Sequence, residues 1–232
     1  MSGFVFKQFS VSHEQCAMKV STDGILLGAW ADLTSGDSLL DIGAGTGLLA
    51  LMCKQRAPHL LVNAVEIDAT AYAQASQNIS QSPWPDIVIY NSDIQSFTSE
   101  VLFDVVVCNP PYFNDCLKGG DHARNTARHT DSLSFAELLV AFDRLSHQDS
   151  IFNVILPCNE AQQFIGQATA QGLYLQRHCL VRTTKNKSAT RSLMSFGYQP
   201  RMCEPSILTI HNEDGKYSDD YVALCKDFYL KM

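Results

Sequence analysis

The chain has no apolar stretch approaching the roughly 18–20 residues that cross a bilayer. Its start, Met-Ser-Gly-Phe-Val-Phe-Lys, lacks the charged lead and long apolar run of a signal peptide. A cytoplasmic protein with no membrane partner is therefore expected. Cys-x-x-Cys pairs are also missing: the eight cysteines (16, 53, 108, 116, 158, 179, 203 and 225) are scattered singly. Most sit inside apolar runs, as in Val105-Val-Val-Cys108, and read as small buried hydrophobes of a reducing compartment. This speaks against a disulfide framework or a zinc site, and no metal is expected. Net positive charge is lacking too. Lys and Arg number 17 against 24 Asp and Glu, a net charge of −7, which argues against a protein that coats nucleic acid indiscriminately. Repeats, low-complexity linkers and internal boundaries are absent, so residues 1–232 read as one domain and a monomer is expected.

What is present is a sizeable apolar share, 46%, and a local reversal of charge. Between Asn159 and Glu204 the only acid is Glu160, while Arg177, Arg182, Lys185, Lys187, Arg191 and Arg201 fall there with His178 beside them. A basic face on an acidic body suits a selective nucleic-acid enzyme; a solvated loop is the competing reading.

From residue 38 onward, strand-like and helix-like runs alternate. Strands are expected over 38–42, 60–65, 86–90, 103–108, 151–156, 173–182 and 205–211. Helices are expected over 24–32, 46–56, 69–80, 134–145, 160–171 and 219–230. Asp68 reads as the cap of the third helix, and Ser134 with Glu137 as a capping box. Continuous apolar strands between helices mean a mostly parallel α/β sheet covered on both faces. The last two strands lack a helix between them, so an antiparallel edge strand is expected. The long polar loops are 113–133 and 183–204.

Two motifs carry chemistry. In Asp41-Ile-Gly43-Ala-Gly45-Thr-Gly47 the glycines allow a tight strand-to-helix turn and close approach of a ligand to bare backbone. The turn lies at the carboxyl end of a strand, where open parallel sheets bind ligands. Glu66 ends the next strand, placed to accept both hydroxyls of a ribose, and Asp93 follows the third. Asn109-Pro110-Pro111-Tyr112 directly follows the fourth. Its prolines hold the backbone extended and remove two N–H donors. The Asn109 side-chain oxygen and the Pro110 carbonyl can then both accept from one planar NH₂ group, leaving the nitrogen lone pair free to attack. Such groups act through position and electrostatics. Tyr112 offers a ring for stacking. A nicotinamide oxidoreductase is the rival at the glycine turn, but the spacing is not Gly-x-Gly-x-x-Gly, and a dehydrogenase has no reason to carry the second motif.

The glycine turn resembles motif I of the seven-stranded, Rossmann-like S-adenosylmethionine-dependent methyltransferases, and the second motif resembles the NPPY of the enzymes in that group that methylate planar amines. Phe4-Val-Phe-Lys-Gln-Phe9, Met18-Lys-Val-Ser-Thr-Asp-Gly24, Gly47-Leu-Leu-Ala-Leu-Met52, Ser82-Pro-Trp-Pro85 and Asn109-Pro-Pro-Tyr-Phe113 are similar to the bacterial tRNA1(Val) adenine-37 N6-methyltransferase family. The resemblance runs along nearly the whole chain from Phe4. It departs from the family at Ser21, where a glycine is expected, so Thr22 and Asp23 read equally as helix cap or ligand contact. The resemblance implies S-adenosylmethionine as donor, tRNA as partner, and methyl transfer to an anticodon-loop adenine. It implies a cofactor site of Asp41, Gly43, Ala44, Gly45, Gly47, Glu66, Ile67, Asp93, Ile94 and Asn109, with residues 1–37 as an extension packing near it. Asn109, Pro110, Pro111 and Tyr112 would hold the target base. Phe113, Lys118, Arg124, Arg128, Arg182, Lys185, Lys187 and Arg191 are expected to contact the tRNA. The alternatives are a glutamine-N5 protein methyltransferase, another NPPY-type base methyltransferase, and a non-catalytic RNA-binding protein.

Overall fold

Ten strands and six helices are defined in the computed structural model, which describes residues 3–14, 16, 19–34, 36–111 and 133–232. In chain order they are β1 (Gly3–Val5), β2 (Ser10–Ser12), α1 (Thr22–Trp30), β3 (Ser38–Ile42), α2 (Leu48–Arg56), β4 (Leu61–Glu66), α3 (Ala69–Ser80), β5 (Val88–Asn91) and β6 (Phe103–Cys108). There follow α4 (Phe135–Leu145), β7 (Ser146–Pro157), α5 (Cys158–Ala170), β8 (Tyr174–Thr184), β9 (Arg191–Gly197), β10 (Ser206–His211) and α6 (Asp219–Cys225).

The apolar strands stack because both faces of the sheet are buried. Leu39, Val105, Val107, Ile155, Val181 and Leu193 point into one core, with α1 and α2. Their neighbours Leu40, Val106, Cys108, Val154 and Met194 point into the other, with α4 and α5. A period of two thus feeds two cores from one set of strands. The caps form as the residues suggest: Asp68 accepts from Ala71 N, and Ser134 and Glu137 close a capping box.

The main sheet runs β10-β8-β9-β7-β6-β3-β4-β5. It has eight strands, not seven. The additional one, β9, lies inside the stretch expected to be the polar loop 183–204. It is antiparallel to both β7 and β8, while β10 runs parallel to β8. The mixed, mostly parallel sheet with an antiparallel strand towards one edge is therefore present. The hairpin partner of 174–184, however, is 191–197 rather than 206–211. The expectation missed β9 because Arg191, Ser192, Ser195 and Gly197 interrupt its apolar run. Both serines are buried and partnered, Ser192 Oγ with His178 Nε2 at 2.7 Å and Ser195 Oγ with Asn153 Oδ1 at 2.5 Å.

Several helix ends also differ by a residue or more, and two of them have a visible cause. The first helix starts at Thr22, and its cap is Ser21, whose Oγ accepts from Gly24 N, not Thr22 or Asp23. The last helix stops at Cys225 rather than near 230 because the chain beyond it pairs elsewhere. Phe228 O accepts from Lys7 N, and Tyr229 bridges to Phe6 of the N-terminal ribbon.

Candidate active site

All strands except β9 run the same way in the main sheet, so the ends of β3, β4, β6, β7 and β8 share one edge. A cavity of about 860 Å³ opens there, walled by Gly43, Ala44, Gly45, Glu66, Ile67, Asp93, Ile94, Asn109, Pro110 and Pro111. Two motifs 60-odd positions apart in sequence (about, by residue number) meet because β3 and β6 are adjacent, with Ile42 beside Cys108. Cys16, Lys19, Val20, Ser21 and Gly24 bring the segment before and into α1 onto the same wall.

The glycine turn is held in place from below. Gly43 N and Ala44 N donate to Val65 O, at 2.9 and 3.1 Å. Gly43 and Gly45 have φ of +73° and +55°, and a Cβ on either would meet only open space. Glycine is therefore required by the backbone, and the bare turn faces the cavity. Gly47 serves differently. At φ +80° it begins α2, and its space is closed by Ala75 and Ile79 of α3. It packs helix on turn and does not wall the cavity.

Glu66 is buried, and its carboxylate is aimed by two backbone donors: Gly45 N to Oε2 at 2.7 Å and Asp68 N to Oε1 at 2.9 Å. Asn91 Nδ2 donates to the carbonyls of Glu66 and Ile67, fixing the strand end beneath. Ile67 is 66% exposed, an apolar side chain left open on the cavity wall. Asp93 starts a turn, accepting from Gln95 N through its side chain and from Ser96 N and Phe97 N through its carbonyl. Of the described charged residues on the wall, Glu66, Asp68, Asp93 and Glu137 are acids and only Lys19 is a cation. The field suits a ligand carrying positive charge.

Asn109 supplies the sharpest chemical signal. Its Oδ1 is buried and has no hydrogen-bond partner among the described residues, a state that costs about 1–3 kcal/mol unless a ligand donor fills it. Pro110, next to it, has no N–H to offer, so the wall at this point accepts hydrogen bonds and the proline backbone donates none. A planar NH₂ group fits that demand. The thiols nearby do not compete as nucleophiles. Burial, with Glu66 and Asp68 adding to it, pushes Cys16 up, and burial keeps Cys108 well above the ordinary thiol range.

Asp41 does not line the cavity. It is fully buried behind the turn, where its Oδ2 accepts from Ala50 N at 3.1 Å and Oδ1 is unpartnered. Burial pushes it up to about 7; the Ala50 bond opposes this and the Glu66 charge adds to it. A carboxyl raised on folding stabilises the fold most at low pH, and that contribution fades as pH climbs towards 7. Asp41→Asn is therefore expected to flatten the fall in thermal stability between about pH 4 and pH 7. An unchanged pH profile in melting experiments would remove Asp41 as its cause.

The cations expected to meet a polyanion divide sharply. Lys185 and Lys187 are exposed on the turn after β8, at the cavity's edge of the sheet. Arg182 Nε donates to Thr209 Oγ1, and Arg191 Nε to Asp23 Oδ2 at 2.8 Å, so both are engaged within the fold. Arg177 lies 4.3 Å over the Trp30 ring, and burial pushes His178 down. Arg201 follows β9 and so sits at the opposite edge. Tyr112, Phe113, Lys118, Arg124 and Arg128 lie outside the described residues. The Asp23–Arg191 pair had no signal in the sequence, since its partners are 168 positions apart.

The family model described as "Methyltransferase small domain" matches residues 23–128. A protein of Pseudoalteromonas translucida (strain TAC 125) named tRNA1(Val) (adenine(37)-N6)-methyltransferase is 61% identical over 232 residues, covering 100% of both chains. Proteins of the same name from Phocaeicola vulgatus and Vibrio vulnificus are 47% and 45% identical, each over 99% of this chain and 98% and 96% of their own. Among solved structures, a predicted O-methyltransferase from Agrobacterium tumefaciens superposes with a TM-score of 0.68 at 16% identity, covering 89% of this chain and 96% of its own. A putative RNA methyltransferase from Pyrococcus horikoshii gives 0.55 at 19% identity, over 80% and 85%. These two likenesses show a Rossmann-like methyltransferase fold.

Proposed function

The chain belongs to the tRNA1(Val) (adenine(37)-N6)-methyltransferase family, and from that premise we propose that it methylates N6 of adenine 37 in the tRNA anticodon loop, using S-adenosylmethionine. The observation that carries this reading is the unpartnered, buried Asn109 Oδ1 on the wall of the cavity that the glycine turn also walls. The cofactor supplies an electrophilic methyl on a sulfonium when bound. The residues fit it: an acidic wall for its positive charge, bare backbone at Gly43 and Gly45, Glu66 for ribose hydroxyls, and Asp93 with Ile67 and Ile94 for the adenine. Asp41 and Gly47 act from behind, by holding the turn.

Asn109 Oδ1 and the Pro110 carbonyl accept the two N–H bonds of the target amine. The amine is thereby oriented with its lone pair towards the methyl donor; Asn109 abstracts no proton, and the proton shed by the methylated nitrogen passes to solvent. Positioning of this kind is worth several kcal/mol of barrier (roughly 7–11 at its limit). Pro111 and Tyr112 follow as the base-holding continuation of the same segment. We read residues 1–232 as a single catalytic unit and a monomer, acting in the cytoplasm. The seven unpaired cysteines among the described residues, most of them buried, suit a reducing compartment.

The test is labelled methyl transfer to bulk RNA from cells lacking this enzyme, followed by nucleoside analysis. Label in N6-methyladenosine supports the reading. No label in RNA, with label in glutamine when the protein fraction of the same cells is offered, instead favours the glutamine-N5 alternative, whose planar amide fits the same two acceptors.

Lys185 and Lys187 are the described cations best placed for tRNA phosphates. Lys185→Ala with Lys187→Ala is expected to weaken tRNA binding and reduce its salt slope by roughly 1.5, at about 0.7–0.9 per lost phosphate contact. Cofactor affinity should not move. A salt titration with an unchanged slope would return the turn to the status of a solvated loop.

A further inference from the structure

We propose that the Asp23–Arg191 ion pair is a positioning device, holding the first turn of α1 against Asn109 and joining that wall of the cavity to the Lys185–Lys187 turn. The proposal rests on the methyltransferase reading for its catalytic consequence. Arg191 opens β9, level with Pro157 of β7 and Val181 of β8, so its side chain starts from the carboxyl edge of the sheet. Asp23 lies in the first turn of α1, between Ser21, whose Oγ caps the helix, and Gly24, which walls the cavity. The pair closes at 2.8 Å with side chains 31% and 15% exposed, partly withdrawn from the water that weakens surface pairs.

The turn it holds has little slack. A Cβ on Gly24 would lie 3.0 Å from Leu48 Cδ2 and 4.0 Å from Asn109 Nδ2. The α1 backbone is therefore packed between the start of α2 and the Asn109 amide, and a shift there reaches both. The far end of α1 is anchored separately. Asp32 N donates to Asn153 Oδ1 at 3.0 Å, and Arg177 sits over Trp30 and 3.6 Å from Asp32. Breaking the pair thus removes one tie at the cavity end of the helix and leaves the ties at the other end in place. On its own side, Arg191 follows Thr190, which is locked to both neighbouring segments: Thr190 N donates to Val181 O, and Thr190 O accepts from Cys158 N. The connection from the lysine turn to Arg191 therefore runs along hydrogen-bonded backbone.

The test is a double-mutant cycle of Asp23→Asn and Arg191→Gln in the full chain. Three quantities are read: kcat at saturating tRNA, S-adenosylmethionine affinity by calorimetry, and the salt slope of tRNA binding. Each single variant is expected to lose roughly tenfold in kcat and a few-fold in cofactor affinity, with the double variant no worse than either single one. The salt slope and the KM for tRNA should stay at the wild-type values. Arg191→Lys, which keeps the charge, should recover part of kcat and replaces Arg191→Gln if that variant melts early. Additive losses, or no loss in kcat and cofactor affinity, would overturn the proposal. So would a fall in salt slope confined to the Arg191 variant, because Arg191 would then be a phosphate contact. If wild-type protein makes no N6-methyladenosine, the reading of function fails, and the calorimetric cycle still decides the pair.

Discussion

Asn109→Ala is expected to abolish turnover while leaving S-adenosylmethionine affinity nearly intact. The side chain's Oδ1 is buried without a partner among the described residues, so in the absence of an amine truncation costs none of the bonds described there. Its Nδ2 lies beside Gly24 in the first turn of α1. What the alanine variant loses is an acceptor that matters when the amine is turned for attack. An interaction realised only in the transition state appears in kcat and equally in kcat/KM, not in binding. Loss of one such preorganised group typically costs on the order of 10²–10³ in rate. Single-turnover assays beside calorimetry separate the two effects. A variant keeping half of the wild-type kcat would remove Asn109 from the mechanism.

Glu66→Ala is expected to weaken S-adenosylmethionine binding by about 1.5–3 kcal/mol, the range for hydrogen bonds to a charged group. Two consequences add. The ribose acceptor disappears, and Gly45 N and Asp68 N lose the carboxylate that pairs them. Glu66→Gln should recover little, because its amide nitrogen would turn a donor towards one of those N–H groups. Calorimetry on both variants checks this, and Glu66→Gln binding at wild-type strength would contradict it. NAD should bind to neither variant nor to the wild type.

The parts of this fold that were legible in the sequence are those whose partners are near in sequence or need none. The valine run of β6 and the leucines of β3 announce buried strands because each residue is apolar whichever core it enters. Asp68 and the Ser134–Glu137 box cap helices through contacts three residues away. The glycine turn and Asn109-Pro-Pro carry their chemistry in consecutive residues, and adjacent strands then bring them together. What escaped notice depends on distant partners. β9 hides behind Ser192 and Ser195, whose hydroxyls are satisfied by His178 and Asn153. Arg191 looks like a surface cation until Asp23 is seen beside it. Asp41 looks like a ligand contact, yet the turn folds over it and leaves it buried against Ala50 N. Ser21 stands where the family pattern has glycine, and its cap shows that a serine is accommodated by bonding Gly24 N.

The most direct test of the central claim uses purified protein, methyl-labelled S-adenosylmethionine and unmodified tRNA1(Val). The account predicts label in N6-methyladenosine at position 37, abolished when that adenine is replaced by guanine in the same transcript. Label that persists in the replaced transcript, or that appears in any nucleoside other than N6-methyladenosine, would contradict it.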